Sequence, residues 1–421
     1  MAVKPGYKQT EAGVIPEEWQ VSTLQDACQE PISYGIVQCG PHLNSGIPYI
    51  RVSDMDEPEL NVDGMLRTSP SIASRFGRST VQEGDLVYAL RGKLGEVRQV
   101  RADVAGANLT QGTARLSPNN KVLSDYFLWA LRNPPTVRQA EIEAKGTTFR
   151  EITLADLRKI KVLIPPLSEQ LFIATALSDV DALLGALVRL IAKKRDLKQA
   201  AMQQLLTGKN RLPGFHGEWV VKRLAHAGSC LRGVSYRGDS DLSAHDTDHT
   251  KRLLRSNNVQ DALVVTSEVQ FVNAARVSSS QVLKSGDILI CMANGSKALV
   301  GKAGLFSIND GYDYTFGAFM GCFRTDATTA DPAFVFSLMQ TGRYRDYINN
   351  LLAGSSINNL RPSSIESLEF SFPPISEQTA IASLLADMDA ELAALEQRLA
   401  KTRALKQGMM QELLTGRTRL L

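Results

Sequence analysis

The chain has 421 residues, 43% of them hydrophobic and 22% charged, a length that suits two or three domains and a composition that excludes disordered, collagen-like and disulfide-miniprotein classes. Its 47 basic residues against 44 acidic ones leave a net charge of +3, too balanced to announce a nucleic-acid binder by charge alone. Five scattered cysteines, Cys28, Cys39, Cys230, Cys291 and Cys322, form no CxxC pair, which suits a reduced protein without a thiolate metal site.

The opening "MAVKPGYKQTEAGVIPEEW" lacks the apolar core of a leader peptide, and no later stretch reads as approaching the roughly 18 apolar residues of a membrane span. A cytoplasmic protein is expected. Residues 1–165 predict a first α+β domain. Short β-type runs such as "IPYIRV" and "GDLVYAL" are divided by Gly, Asn, Asp and Pro clusters, and "DYFLWALRN" is helical. Residues 166–212 predict one long helix. "PPLSEQ" offers a serine cap near Ser168 with Glu169 at the positive helix start. Apolar residues then recur at Leu177, Val180, Leu184, Leu187 and Ile191, past a basic stretch of Lys193, Lys194, Arg195 and Lys198, to a terminating Gly208. Residues 213–373 predict a second α+β domain, with runs "VVTSEVQFV" and "GDILICM" and a helical "PAFVFSLMQTGRYRDYINNLL". Residues 374–421 predict a second long helix, with its seam at Leu385, Met388, Leu392, Leu395 and Leu399.

The last block repeats the second. Pro165 to Leu212 aligns without a gap on Pro373 to Leu420 at a constant offset of 208, with more than half the positions identical. Fainter likeness continues upstream: "GTTFREITLADLRKIKVLIPP" parallels "GSSINNLRPSSIESLEFSFPP", "VQEGDLVYALRGKLG" parallels "LKSGDILICMANGSK", and Trp19 and Trp219 stand at the two fronts. A duplicated unit accounts for this order of variable and similar blocks. A helix of about 40 residues is roughly 60 Å long, and a rod with so narrow a seam wants a partner helix. The chain carries one ready copy. A surface helix on a single globular core is the alternative.

Enzyme-like phrases do not hold up. "NPPT" at Asn133 resembles the Asn-Pro-Pro-aromatic loop of adenine methyltransferases, but Thr136 replaces the aromatic and no Gly-rich cofactor loop precedes it, so it reads as a turn between helices. "GSKALVGKAG" has the wrong glycine spacing for a phosphate loop, and Ala303 stands where Ser or Thr would bind magnesium. His245 and His249 lie in a polar segment without further ligands. No catalytic or metal site is nominated. For nucleic-acid contact, Arg51, Ser53, Arg91, Lys93, Asn108 and Gln111 stand in loops beside strands, where Arg suits guanine edges and Asn or Gln suits adenine. Arg255, Asn257, Asn294, Ser296, Lys297, Tyr314 and Thr315 are placed similarly in the second domain. Ordinary solvated surface is the alternative for each.

The repeated "SEQ … LKQ-x-x-M-Q-x-LLTG-[KR]-x-RL", with "GYKQTEAGVIPEEW" at the start and "RLPGFHGEW" at the junction, resembles the specificity subunit of type I restriction–modification systems. The resemblance implies two α/β target recognition domains joined by two long antiparallel helices, a coiled coil with an internal pseudo-twofold repeat. It places adenine-directed loop contacts on Arg91, Gly92, Lys93, Asn108 and Gln111. In the second domain "YTFGAF" replaces "NLTQG", so Gln111 has no obvious twin. Two similar helical surfaces suit two copies of one partner, by resemblance the adenine methyltransferase subunit, with restriction subunits joining. The chain then reads an asymmetric, two-part double-stranded DNA site without catalysing anything. Its half-site centres, roughly 34–36 Å apart, fit within the rod. S-adenosylmethionine, ATP and Mg are expected in the partners and none in this chain. A self-contained DNA methyltransferase and a DNA-indifferent scaffold are the competing readings.

Overall fold

The structure, a computed structural model, describes residues 4–146, 150–353 and 358–420. It divides into two compact units, residues 1–188 with 397–421, and residues 189–396. This differs from a four-part division at 165, 212 and 373. Both units cut through the long helices, Leu167–Leu205 and Ile375–Leu413, each of 39 residues, because each unit's core takes in helix segments from both copies of the repeat. Part of the upstream likeness, at residues 147–149 and 354–357, lies outside the described residues.

In the first unit a four-stranded antiparallel sheet runs in the order Ser33–Tyr34, Thr113–Leu116, Leu86–Ala89, Val97–Gln99. "GDLVYAL" is a continuous apolar run because its strand is covered on both faces. Leu86 and Tyr88 join one buried cluster, and Val87 and Ala89 join another. Beside it lies a three-stranded sheet in which Ile47–Ile50 pairs antiparallel with Arg67–Thr68 and parallel with Asn108–Leu109. "DYFLWALRN" forms Ser124–Arg132, and Pro134–Glu143 follows at once with both prolines of "NPPT" in its first turn, where missing N–H groups cost nothing.

The second unit repeats this plan with a larger sheet of six strands. Gly228–Arg232, Met320–Thr325, Ile288–Cys291 and Ala303–Leu305 carry the same antiparallel order. Ile288 and Ile290 again face one cluster, and Leu289 and Cys291 another. Thr250–Leu254 lies parallel to Tyr314–Phe316. "VVTSEVQFV" is two strands rather than one, Leu263–Val264 and Gln270–Asn273, broken near Glu268, whose φ is +56°. The long helical phrase also breaks, into Pro332–Leu338 and Gly342–Ala353.

The paired "GD" phrases have one physical cause. Gly84 and Gly286 take φ of +86° and +91°, which glycine adopts at little cost. The next aspartate then closes the turn, accepting from the N–H of Gln82 or Lys284 at 2.7 Å. Both carboxylates are buried and hold an arginine, Asp85 with Arg115 at 2.5 Å and Asp287 with Arg324 at 2.6 Å.

Helix ends explain the repeated "LLTG". In the first unit Leu413 and Leu414 share a cluster with Trp19. Gly416 turns at φ +70° so close to Pro16 and Trp19 that a Cβ would collide with Pro16. In the second unit Leu205 and Leu206 pack with Trp219, and Gly208 sits against the Trp219 ring at φ +69°. The helix begins at Leu167, one residue before the expected serine cap, so Ser168 lies inside the first turn. Glu169 is buried, accepts from Trp19 Nε1 at 2.9 Å and pairs with Arg419 at 3.0 Å. In the second unit the repeat-equivalent Glu377 pairs with Arg211 at 2.5 Å, while Trp219 Nε1 has no partner among the described residues.

Further ion pairs tie the helices within each unit. Asp181 meets Lys406 at 2.5 Å in the first; Glu391 meets Lys194 at 2.7 Å and Asp389 meets Lys198 in the second. As one partner's number rises the other's falls, so the segments run antiparallel. Leu177, Leu187, Ile191, Leu385 and Leu392 are buried, and Val180, Leu184, Met388, Leu395 and Leu399 are half-buried. One expectation needs correcting. The first long helix holds an 18-residue window of mean hydropathy 1.8, only 22% of it buried, which is apolar enough for a membrane span by length and composition. No uninterrupted apolar run shows this, because acidic residues such as Asp179 and Asp181 punctuate the segment.

Candidate nucleic-acid interface

In the first unit the turn after Ile47–Ile50, the turn after Leu86–Ala89 and the loop after Asn108–Leu109 converge on a cavity of about 340 Å³. Four residues singled out in the sequence line it: Arg51, Ser53, Arg91 and Gln111. Ile36, Val37, Cys39, Val52, Thr110 and Gly112 complete the wall. Of these, Ile36 and Val37 come from the segment "SYGIVQ", as apolar side chains that carry no sequence mark of a contact. Gly92 and Lys93 are exposed on the adjoining turn, with Lys93 at 2.6 Å from Asp56.

The two arginines are prepared differently. Arg51 is held by both oxygens of Asp54, at 3.1 and 2.6 Å, a fork that fixes the guanidinium and keeps it protonated. Arg91 is exposed and lies over Gly112, where a Cβ would come within 3.1 Å of Arg91 Nε. A side chain at position 112 therefore competes with Arg91 for the same space.

Asn108 is a correction. It is buried, accepts from Ser79 Oγ and the Leu109 N–H, and donates to Ala73 O at 3.2 Å. Its amide is consumed in holding the strand and cannot present itself to a base. Tyr314 and Thr315 are corrected likewise, since both are fully buried. The Tyr314 hydroxyl donates to Asp310 at 2.7 Å and that of Thr315 to Gln281 O at 2.9 Å.

The second unit builds the corresponding place on the same backbone frame. Leu90 N–H donates to Gly112 O and Met292 N–H to Phe319 O, both at 2.9 Å. Thr110 N–H reaches Ile50 O at 3.2 Å, and Gly317 N–H reaches Leu254 O at 3.0 Å. Ile36 bridges Thr110 as Val234 bridges Gly317, and Thr113 pairs with Ala89 as Met320 pairs with Cys291. These bonds set Arg255 at the place of Arg51, Ala293 at Arg91, Asn294 at Gly92, Ala318 at Gln111 and Phe319 at Gly112. Asn258 replaces Asp54. Its Oδ1 accepts from the Arg255 N–H at 2.9 Å, and no carboxylate pairs the Arg255 guanidinium among the described residues. Asn257, Ser296 and Lys297 are exposed nearby in sequence, and half-buried Asn294 reaches Ser256 Oγ at 3.4 Å.

A loop-built arginine cavity in one unit, its backbone frame repeated with other side chains in the second, and matched helix ends mark a duplicated two-unit recognition protein. A family profile described as "Type I restriction modification DNA specificity domain" matches residues 16–193 and 252–402, and the chain belongs to this family of type I restriction–modification specificity subunits. It is 32% identical over 183 residues to the EcoKI specificity subunit of Escherichia coli K12, an alignment covering 42% of this chain and 39% of that one. It is 22% identical to the MjaVIII specificity subunit of Methanocaldococcus jannaschii over 98% of this chain and 96% of the relative. The fold resembles the S subunit from M. genitalium with a TM-score of 0.59 at 14% identity, covering 98% of each chain.

Proposed function

We propose that this chain is the non-catalytic address of a type I restriction–modification complex. Each cleft reads one half of an asymmetric, two-part double-stranded DNA site. The long helices pair as an antiparallel coiled coil that relates the clefts by a pseudo-twofold axis and fixes their separation. The observation that carries the reading is the common backbone frame of the two clefts, filled with different side chains: equal frames suit two similar half-sites, and unequal side chains suit two sequences. At about 1–3 kcal/mol per wrong base pair, some seven specified pairs give ample discrimination.

The matched helix ends suit two copies of one methyltransferase subunit, with restriction subunits joining them. S-adenosylmethionine, ATP and Mg then belong to those partners, which supply methyl transfer to an extruded adenine and ATP-driven cleavage. The protein works in the cytoplasm. The apolar window of its first helix serves protein packing, since its Asp181 and the following Lys194 and Lys198 pair with charges of the second helix.

Modified-base sequencing tests this directly. Cells expressing the chain with its methyltransferase should carry methyladenine in one split, asymmetric motif that is absent without the chain. Unchanged methylation, with an active methyltransferase, would favour a scaffold.

A further inference from the structure

The second cleft differs from the first in a coordinated way. Where the first carries Arg91, Gln111 and Gly112, the second carries Ala293, Ala318 and Phe319. Hydrogen-bonding side chains are replaced by apolar ones at both Arg91 and Gln111, and the glycine gives way to an aromatic ring.

The exchange is physically coupled. Arg91 lies over Gly112, so a side chain there would have to push the Arg91 guanidinium aside. With Ala293 in the arginine's place that space is open, and the backbone N–H groups of Met292 and Ala293 both donate to Phe319 O, at 2.9 and 3.1 Å. The carbonyl is thus clamped while the ring projects outward, 72% exposed. The turn thus presents a large apolar face to the outside, beside an arginine that no carboxylate pairs among the described residues.

Among the groups a DNA groove presents, the one that apolar side chains recognise is the thymine methyl, contacted by residues such as Ala and Phe. We propose that Phe319, flanked by Ala318 and Ala293, is a specificity-determining residue that packs on the 5-methyl group of a thymine in the second half-site. The first cleft reads the corresponding position by hydrogen bonds instead. This rests on the reading that each cleft takes one half of a split DNA site.

The test uses the full chain assembled with its methyltransferase and duplexes carrying the methylated motif. Each second-half thymine is replaced singly by deoxyuridine, which keeps the pairing and removes only the methyl. At one position the unaltered complex should lose affinity about fourfold, the value of one buried methyl-sized group at about 0.8 kcal/mol. The Phe319→Ala complex should bind the thymine duplex more weakly and be indifferent to that replacement, whereas Phe319→Leu should keep part of the response.

Phe319→Ala binding that is weakened while no deoxyuridine matters would make the ring a wedge between base pairs and overturn the proposal, as would Phe319→Ala binding that equals the unaltered complex. A second half-site without an A·T pair would overturn it too. An unaltered complex that prefers its motif no more than a scrambled duplex would instead sink the underlying DNA reading.

Discussion

The two units agree where helices meet domain cores and disagree where loops meet open space. Glu169 with Arg419 and Glu377 with Arg211 are the same contact made twice, and so are Trp19 over Gly416 and Trp219 over Gly208. The clefts share their backbone bonds yet exchange Arg91, Gln111 and Gly112 for Ala293, Ala318 and Phe319. Packing ties the first set together, because changing one member leaves a cavity or an unpaired charge. The cleft side chains answer only to what they touch outside the protein, so a duplicated frame can carry two different readouts.

The largest effects should come from the shared contacts. Leu177 and Leu385 are equivalent and buried in the two cores. Truncating either to Ala should cost about 3 kcal/mol, by loss of transfer energy and a residual cavity. Equally equivalent Leu197 and Leu405, 48% and 58% exposed, should change stability by less than about 0.5 kcal/mol. Denaturant midpoints would check the pattern, and equal losses at buried and exposed positions would break it.

The helix-end carboxylates sharpen the comparison, because here the units are not quite alike. Arg419→Ala leaves Glu169 buried but still hydrogen-bonded to Trp19, so the loss should stay near the low end of a broken buried pair, about 3 kcal/mol or less. Arg211→Ala strips Glu377 of its arginine with no tryptophan bond to compensate, since Trp219 Nε1 donates to nothing among the described residues. It should lower the melting temperature more than Arg419→Ala does. The reverse order would mean that Trp219 takes over when the arginine is gone.

The scaffold was legible in the sequence because its cause is linear. A 208-residue offset, a 3.5-residue apolar period and a glycine after "LLT" are all visible in one dimension. Asn108 and Thr315 show where such reading stops. Each looks like a loop residue beside a strand, but its burial is decided by Ala73 and Ser79 or by Gln281, brought in from 29 or more residues away. The cleft-lining Ile36, Val37 and Cys39 were missed for the same reason: small apolar residues in a loop carry no mark of what they face. The place of Phe319 needed strand register, since "TFGAFM" and "NLTQGT" align by backbone bonds and not by residue type.

Smaller effects belong to the arginines. Among the described residues Arg255 has no acidic partner while Arg51 has Asp54, so binding by Arg255 need not release an existing ion pair. Arg255→Ala should weaken binding to the motif by about 1–3 kcal/mol and relax one base pair of its half-site. Arg51→Ala should cost less, because Asp54 already neutralises part of the charge that DNA meets. Affinities on duplexes varied one pair at a time would measure both. If Arg51 proved the more important, its fork with Asp54 would matter as a rigid template and not as a competing partner.

The smallest perturbation distinguishes the clefts from each other. Burial pushes the Cys28 and Cys230 thiols up to about 12, so at pH 8 they remain protonated and covered and should resist alkylation. Cys39 is also raised by burial, but it is only partly covered and lines the first cavity beside Arg51. It should therefore be alkylated ahead of the others, faster as pH rises because the thiolate is the reacting form. Mass spectrometry of the labelled complex gives its rate with and without DNA. A duplex with the correct half-site for the first cleft should slow Cys39 labelling even when the other half is scrambled, while the opposite hybrid should leave it fast. That one thiol would assign each half-site to its domain without altering a side chain that reads DNA. Equal protection by both hybrids would show instead that the clefts close on DNA together.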